Sequence, residues 1–446
     1  MKVRSSLYRQ LDEMRWRLRD PEVLEVRRLE EKSQWWSAHE IKTMQDDAVR
    51  RLIEHVYRHV PYYRKLMISK HLTPEDIKTT EDLVKLPVLT KQTLSSRWEE
   101  FLPERLDSSR VAVRRTGGTT GQPLRIARDS RGAAFENAAF YRGLGFAGYR
   151  QGEAMAKLFG GSLGMAPVGS LQRAKAWFSG EIFLPAFEVS RENAPVYVHT
   201  IRRGHARFLR GFASAIHLLA VSMKDRNLAL ELDAVFSTSD MLYEPQREVI
   251  AERLGQVFEY YGCGEVNSIA FECSAHNGLH VSDEHVLLEA LKDGVPVGEG
   301  EAGAATLTTL RNYTMPLIRY QNGDIVTLTK RPCPCGRGLS RIEKLLGRTN
   351  DLLRAQDGRL ISGVFLPAFL VRAEMSGVSQ VQVIQESADW VRVLVVASAG
   401  YCDDSLVPLR ELLVRYLGRI RIDVEEVATI PTAPSGKRQY VISKLG

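Results

Sequence analysis

The chain has 446 residues, 44% hydrophobic and 26% charged. That is an ordinary globular composition, at a length that predicts more than one domain because single cores stop growing well below it. The net charge of +7 predicts a solvated basic surface or an anionic partner; without a basic stripe of stacking aromatics it argues against nucleic acid. No apolar run is long enough to span a bilayer, the Arg-rich start Met1–Asp20 lacks the apolar core of a signal peptide, and five cysteines make no disulfide framework. The expectation is a cytoplasmic protein that touches no membrane.

From Met1 to about Lys78, charged residues interleave with Leu, Val, Ile and Trp, which predicts helices up to the Val60-Pro61-Tyr62-Tyr63 step and beyond it. Leu86-Pro87-Val88-Leu89-Thr90-Lys91 reads as a short strand or turn entering a helix, with Thr90 as its N-cap. From Val111 to about Val326, β-branched runs alternate with helical patterns. Val111–Val113, Ala234–Ser237 and Val257–Tyr261 are strand candidates, with a helix over Pro245–Leu254 between the last two. The alternation predicts an α/β architecture with partly parallel sheets. Gly298–Gly303 is a turn into a β-rich section. The character changes again after Gly347: strands over Gln380–Gln385 and Trp390–Val396, a helix over Leu406–Leu417 and a strand over Ile420–Val427 make a small α+β module. The predicted division is a large domain, residues 1–347, and a small one, residues 348–446.

Five segments carry chemistry. Thr116, Gly117, Gly118, Thr119, Thr120 and Gly121, between Arg115 and Gln122-Pro123, leave backbone N–H groups and hydroxyls free to face an anion; a flexible Gly/Thr hairpin is the competing reading, and no Walker A lysine follows. Tyr261-Gly262-Cys263-Gly264-Glu265 places a ring beside glycines, suited to a base, and a carboxylate at a strand end, suited to Mg²⁺; alone it is as readily a tight turn. Asp324, after Asn322-Gly323, can accept from two ribose hydroxyls. Gly347-Arg348-Thr349-Asn350-Asp351 stands at the domain break. Ser435-Gly436-Lys437 offers a charged side chain from a glycine-containing loop.

In that order and spacing, the five segments resemble those of the adenylate-forming superfamily of acyl-CoA synthetases, peptide-synthetase adenylation domains and luciferases, over nearly the whole chain. The resemblance is strongest to the phenylacetate–CoA ligase branch and its capsular-polysaccharide relatives. Val60-Pro61-Tyr62-Tyr63-Arg64, Leu86–Lys91, Glu272-Cys273 with Gly278-Leu279-His280, and Pro316-Leu317-Ile318-Arg319-Tyr320 carry it. What it implies is an α/β adenylate-forming fold and ATP-dependent, AMP-forming activation of a small aryl or acyl carboxylic acid. The loop Thr116–Gly121 would wrap the β- and γ-phosphates and Tyr261 and Gly262 would border the adenine. Glu265 would hold Mg²⁺, Asp324 would hold the ribose with Arg348 near it, and Asn350 would be the hinge. Lys437 would bridge carboxylate and α-phosphate. Ser237, Thr238, Ser239 and Asp240 would line the acyl pocket, Ser239 replacing a Gly of relatives and narrowing it. Gln122, Gly264 and Asn322 depart from the Lys, Thr and Thr of the family pattern, which leaves a non-catalytic nucleotide-binding relative as an alternative.

Cys273-Ser274-Ala275-His276 and Cys333-Pro334-Cys335 each have the spacing of a metal half-site. Together they predict a structural Zn²⁺ on Cys273, His276, Cys333 and Cys335, with His280 and His285 in reserve; some members of the resembled branch carry such a zinc. The acceptor of the acyl group is coenzyme A in the leading reading, and an amine, a sugar or a carrier-protein thiol in the alternative. Arg202, Arg203, Arg207 and Arg210 read as a basic helix face, solvated or near a phosphate-bearing acceptor. The amphipathic N-terminal helices suit a homodimer.

Overall fold

A computed structural model describes residues 2–19, 22–106, 111–115, 124–159, 176–348, 352–357, 360–362, 377–398, 400–430 and 440–445. The chain opens on α1 (Lys2–Arg19), α2 (Glu22–Ser33), α3 (Ala38–His59) and α4 (Pro61–Ser69). Ser37 starts α3 by a reciprocal capping box with Glu40, satisfying two otherwise orphaned N–H groups. Its buried Ile41, Gln45, Ala48, Val49, Leu52, Ile53 and Val56 recur at helical spacing and form the stripe that docks on the core. Pro61 stops α3 and takes the first position of α4, where its missing N–H costs nothing. Thr90 caps α5 (Lys91–Ser96) by accepting from the Thr93 N–H, as its sequence position predicts.

A sheet of twelve described strands follows. One half is parallel, in the order β4 (Glu181–Pro185), β3 (Met155–Phe159), β5 (Phe208–Phe212), β6 (Ala234–Thr238) and β7 (Val257–Tyr261). One face packs on α7 (Ala194–Arg203), α8 (Ala213–Lys224) and α9 (Glu244–Leu254), through Leu158, Leu209, Val235 and Val257. The other face packs on α6 (Ser130–Gly145) through Met155, Phe208, Phe236 and Phe258. Burial on both sides is why these strands carry apolar residues on both faces.

At β7 the sheet changes character. Val257–Glu259 pair with β6 in parallel, while Tyr260 and Tyr261 pair antiparallel with β8 (Ala270–Glu272). From there β9 (Leu279–Val281), β14 (Arg341–Arg348), β13 (Tyr320–Thr329), β12 (Ala302–Thr309), β10 (Val286–Lys292) and β11 (Val295–Pro296) continue the antiparallel half.

Beyond it lie β15 (Leu352–Arg354) paired with β16 (Leu360–Ser362), and a separate sheet β19-β18-β17-β20, of Arg421–Glu426, Trp390–Ala397, Val378–Ser387 and Val441–Ser443. Val383, Val391, Val393 and Val395 there pack on Leu409, Leu413 and Leu417 of α10 (Val407–Leu417). The whole is a large α/β region with a mixed sheet and a smaller C-terminal α+β region. Among the described residues no helix is long and apolar enough to cross a membrane.

Three of the distant segments that carry the resemblance meet inside this frame. The Tyr63 hydroxyl donates to the Pro316 carbonyl at 2.9 Å and accepts from the Ile318 N–H at 3.0 Å. Arg319, 2% exposed, donates to the Leu86 and Gly294 carbonyls at 2.8 Å each. Leu89 bridges to Tyr320. A guanidinium so enclosed is stable only because carbonyls and Glu289 surround it. These contacts tie the helical start of the chain to the strand that carries Asp324.

Candidate functional site

Open α/β sheets bind ligands at the carboxyl ends of their strands where the strand order switches, and here that point is the end of β7. Tyr261 closes β7, is 5% exposed, and donates its hydroxyl to Asp324 Oδ2 at 2.7 Å. Asn322 Nδ2 donates to the same carboxylate oxygen at 2.7 Å and to the Tyr261 hydroxyl at 2.6 Å, and Asn322 Oδ1 accepts from the Asp324 N–H at 3.1 Å. Burial, reinforced by the Asp324 charge, pushes the Tyr261 hydroxyl well above its ordinary pKa, so it stays protonated and donates. Asn322 replaces the family's Thr and fixes the same carboxylate. The sequence reading sets Tyr261 and Gly262 at the adenine; in the structure the Tyr261 ring is buried and its hydroxyl holds Asp324.

Glu265 lies four residues on and accepts from the Tyr320 hydroxyl at 3.2 Å. One residue that the sequence reading missed fixes this loop. Arg128, 3% exposed, donates to the carbonyls of Gly264 at 3.3 Å and Glu265 at 2.9 Å and pairs with Glu136 of α6 at 3.0 Å. It sits in β2 (Arg125–Arg128), which pairs with β1 (Ala112–Arg115) in the register Arg115↔Arg125. The Ala112/Arg128 end of the hairpin is therefore held against the Glu265 loop, and the Gly/Thr segment joins the two strands at the other end, after Arg115 and before Arg125. Thr116–Gly121, Asn350 and Lys437 lie outside the described residues. The Arg348 backbone stands directly opposite Asp324 in the β13–β14 ladder; its side chain also lies outside the description.

The four expected acyl-pocket residues are consecutive and have different surroundings. Ser237 and Thr238 are buried in β6, and the Ser237 Oγ has no hydrogen-bond partner among the described residues. Ser239 has φ +71°, a left-handed conformation natural to the Gly of relatives. Asp240 accepts from the Ser214 hydroxyl at 2.6 Å, at the start of α8.

The cysteine prediction is corrected in one member. Cys273, Cys333, Cys335 and His280 bring four ligand atoms within 4.8 Å of one another; His276 does not join them. It forms a turn after Cys273, with its N–H on the Cys273 carbonyl at 2.9 Å, and its ring binds Glu272 Oε1 at 2.9 Å and Gln256 Nε2 at 2.7 Å. The chain then reverses through Gly278 (φ +78°) and β9 returns His280, the reserve ligand, to the cysteines. The other reserve, His285, is buried against the Asn267 carbonyl at 3.2 Å. The Sγ atoms of Cys273 and Cys333 are 3.7 Å apart and Cys335 Sγ lies 3.2 Å from His280 Nε2. Tetrahedral bonds of about 2.3 Å set a sulfur–sulfur edge of about 3.8 Å, so the donor set fits a four-coordinate zinc. Burial pushes the Cys273 thiol up to about 12 and the His280 ring down to about 4. At Cys335 burial acts the same way, but hydrogen bonds with Arg337, Cys333 and Cys273 together outweigh it and lower the thiol.

The basic face is likewise corrected. Arg202 and Arg203 end α7, Arg207 pairs with Glu153 and Asp233, and Arg210 lies inside β5. A surface hollow lined by Arg202, His205, Arg207 and Leu230–Leu232 lies at the amino ends of these strands, away from Asp324 and Glu265.

A profile described as the CapK C-terminal domain matches residues 353–444. The chain is 28% identical over 324 residues to phenylacetate-coenzyme A ligase of Thermus thermophilus, covering 70% of this chain and 71% of that one. It is 21% identical over 452 residues to protein CapK of Staphylococcus aureus, covering 94% and 92%. In sequence the chain is similar to phenylacetate–CoA ligases and to CapK. In fold it is similar to 2-hydroxyisobutyryl-CoA ligase in the postadenylation state, with a TM-score of 0.72 at 20% identity over 93% of both chains. The thioesterification state of that ligase gives 0.61 at 21% identity, over 92% of this chain and 91% of that one.

Proposed function

We propose that this chain is an adenylate-forming, AMP-forming ligase that activates a small aryl or acyl carboxylic acid with ATP and passes the acyl group to coenzyme A. The observation that carries the reading is the Tyr261–Asn322–Asp324 constellation beside Glu265, at the point where the sheet turns from parallel to antiparallel. Asp324, pinned by two donors through one oxygen, is positioned to accept from ribose hydroxyls. The substrate carboxylate attacks the α-phosphorus in line and expels pyrophosphate; the acceptor thiol then attacks the acyl-adenylate and AMP leaves. Catalysis is positioning and charge stabilisation. The Thr116–Gly121 loop would meet the β- and γ-phosphates and Lys437 would bridge carboxylate and α-phosphate. Rotation about Asn350 exchanges Lys437 for an acceptor surface, dividing the chain after residue 347. Glu265 would hold Mg²⁺, which neutralises phosphate charge. Cys273, His280, Cys333 and Cys335 would hold a structural Zn²⁺ that pins β8, β9 and the 333–335 turn together. A homodimer through the N-terminal helices belongs to the same reading, supported by Leu7, Leu11, Met14 and Leu18, exposed at helical spacing on α1.

The test is pyrophosphate release with Mg·ATP across a panel of aryl and alkyl acids, trapping the adenylate with hydroxylamine. Release that depends on one acid and is lost in Lys437→Ala is the expected result; adding CoA, amines or sugars then names the acceptor. A folded, zinc-replete protein that releases nothing with any acid overturns the reading in favour of a nucleotide binder.

A further inference from the structure

Lys157 of β3 and Arg210 of β5 stand opposite one another in adjacent parallel strands. They occupy the sheet face turned to α6, which also carries the apolar, buried Met155, Phe208, Phe236 and Phe258. Two neighbouring cations on such a face are unfavourable unless each finds a counter-charge. Lys157 has one, Glu181 of β4. Arg210 has none among the described residues: it makes no ion pair, and its Nε is buried without a hydrogen-bond partner. Its guanidinium carbon instead lies 4.9 Å from the ring centroid of Phe140, 5.0 Å from that of Phe159 and 6.0 Å from that of Tyr260. Rings stabilise a cation but do not neutralise it. One carboxylate between two cations leaves a positive charge over. Residues 160–175, which continue the chain from β3, contain Arg173 and Lys175 but no Asp or Glu, so the missing anion is not supplied from there.

The place of this charge gives it meaning. Tyr260 immediately precedes Tyr261, which holds Asp324, and Phe140 lies on α6, which starts from the hairpin flanking the Gly/Thr segment. Arg210 is two residues from the carboxyl end of β5. Phe140, Tyr260, Arg210 and Lys157 all keep partial exposure on a face whose neighbours are buried, the mark of a cleft rather than a closed core.

We propose that Arg210, framed by Phe140, Phe159 and Tyr260, receives a second anionic group of the acid that is activated, so that the preferred substrate is a dicarboxylic acid held by its remote carboxylate. This rests on the activation reading above. A carboxylate against Arg210 balances the face, and the rings enclose the carbon skeleton between the two acid groups.

The test compares matched pairs, hexanoate with adipate and phenylacetate with its 4-carboxy derivative, in pyrophosphate release by the wild-type protein and by Arg210→Met and Arg210→Lys. The expected result is a dianion preference of at least about 10-fold in kcat/KM, residing in KM. In Arg210→Met the dianion loses about 10- to 100-fold while its monoanionic partner does not, and Arg210→Lys recovers part of the loss. A wild-type preference for the monoanion in both pairs, or an equal loss for both members in Arg210→Met, overturns it. If no acid is activated, the activation reading fails by itself. The Arg210 site is then read by calorimetry with adipate and 4-carboxyphenylacetate without ATP: heat in wild type that vanishes in Arg210→Met sustains it, and no heat in wild type overturns it. Thermal melting of both variants separates lost binding from lost fold, and the wild-type preference needs no variant.

Discussion

Two side-chain groupings lie at the two ends of one short stretch of sheet, and they are built on opposite plans. The Cys273–His280–Cys333–Cys335 cluster is closed. Its four ligand atoms converge on one point, and Ile41, Phe146, Phe271 and Leu339 pack around it. Four protein donors leave no position for a substrate. The Tyr261–Asn322–Asp324–Glu265 grouping uses its donors on one another, yet Glu265 and Asn322 keep partial exposure and the loop bearing Glu265 is held by backbone contacts from Arg128. Convergence on a point makes a staple; a pinned but open carboxylate makes a binding surface. The two are coupled because β8 leaves β7 at Tyr260 and Tyr261 and runs directly into Cys273.

The sharpest way to break this comparison is to empty the closed member. Chelating zinc, or Cys333→Ser, is expected to cost more than about 4 kcal/mol in stability, because a metal that joins two strands and a turn would be part of the fold. Urea unfolding with zinc counted by mass spectrometry checks it. A metal-free protein that unfolds at the same midpoint, with the same activity, refutes the staple. The open member should behave in the opposite way. Asp324→Asn keeps the shape and removes the charge; pyrophosphate release should fall about 100-fold while the unfolding midpoint moves by less than about 1 kcal/mol.

The open member was largely legible in the sequence, the closed one only in part. Glycine, threonine and carboxylate motifs announce themselves through composition, and Val257–Tyr261 was readable as a strand because it is a short run of β-branched and aromatic residues. Register is not readable in that way. That the Arg348 backbone stands opposite Asp324 depends on two bulges in the β13–β14 ladder, which leave no mark in composition. His276 won the sequence argument because Cys-x-x-His is a local spacing; it lost in the structure because the β8–β9 hairpin brings back a residue seven positions on. A turn signal was present at Asn277-Gly278, where a Cβ on the glycine would come within 2.2 Å of the Ile342 carbonyl oxygen. Arg210 misled in another way. Phe208-Leu209-Arg210-Gly211-Phe212 is a strand, but a charge in its centre and three arginines before it imitate a solvated helix face. Arg128 had no local signature, since its work is on carbonyls 136 and 137 residues away.

The link between the two regions can be titrated. Glu259 of β7 donates its N–H to Glu272 Oε2 at 2.7 Å. Burial, then the Glu272 charge, push the Glu259 carboxyl up to about 7, with Arg247 opposing. A carboxyl raised above its unfolded value makes the folded state bind the proton more tightly, so its contribution is whole below about pH 4.5 and lost as pH rises through about 7. Wild type should lose about 2 kcal/mol relative to Glu259→Gln between pH 5 and pH 8, a figure reduced for the partial exposure of the side chain. Parallel pH profiles for the two proteins would show that the coupling through β7 carries no electrostatic strain.

The smallest expected effect is at Ser239, which follows β6 on the side opposite the metal cluster. Its φ of +71° costs an L-residue about 1 kcal/mol that glycine does not incur. If the Ser239 hydroxyl has only local partners, Ser239→Gly should raise stability by about 0.5–1 kcal/mol in urea unfolding and leave the selectivity between acids unchanged. Glycine also gives up the hydroxyl, so the sign of the change weighs backbone strain against whatever that oxygen holds. A gain in stability with altered acid selectivity would assign the strain to the pocket, because strain kept at a position that shapes substrate choice is the pattern expected of a functional site. A loss of stability would mean that the hydroxyl outweighs the backbone, and would move Ser239 from the open region, where groups wait for a ligand, to the closed one, where they satisfy each other.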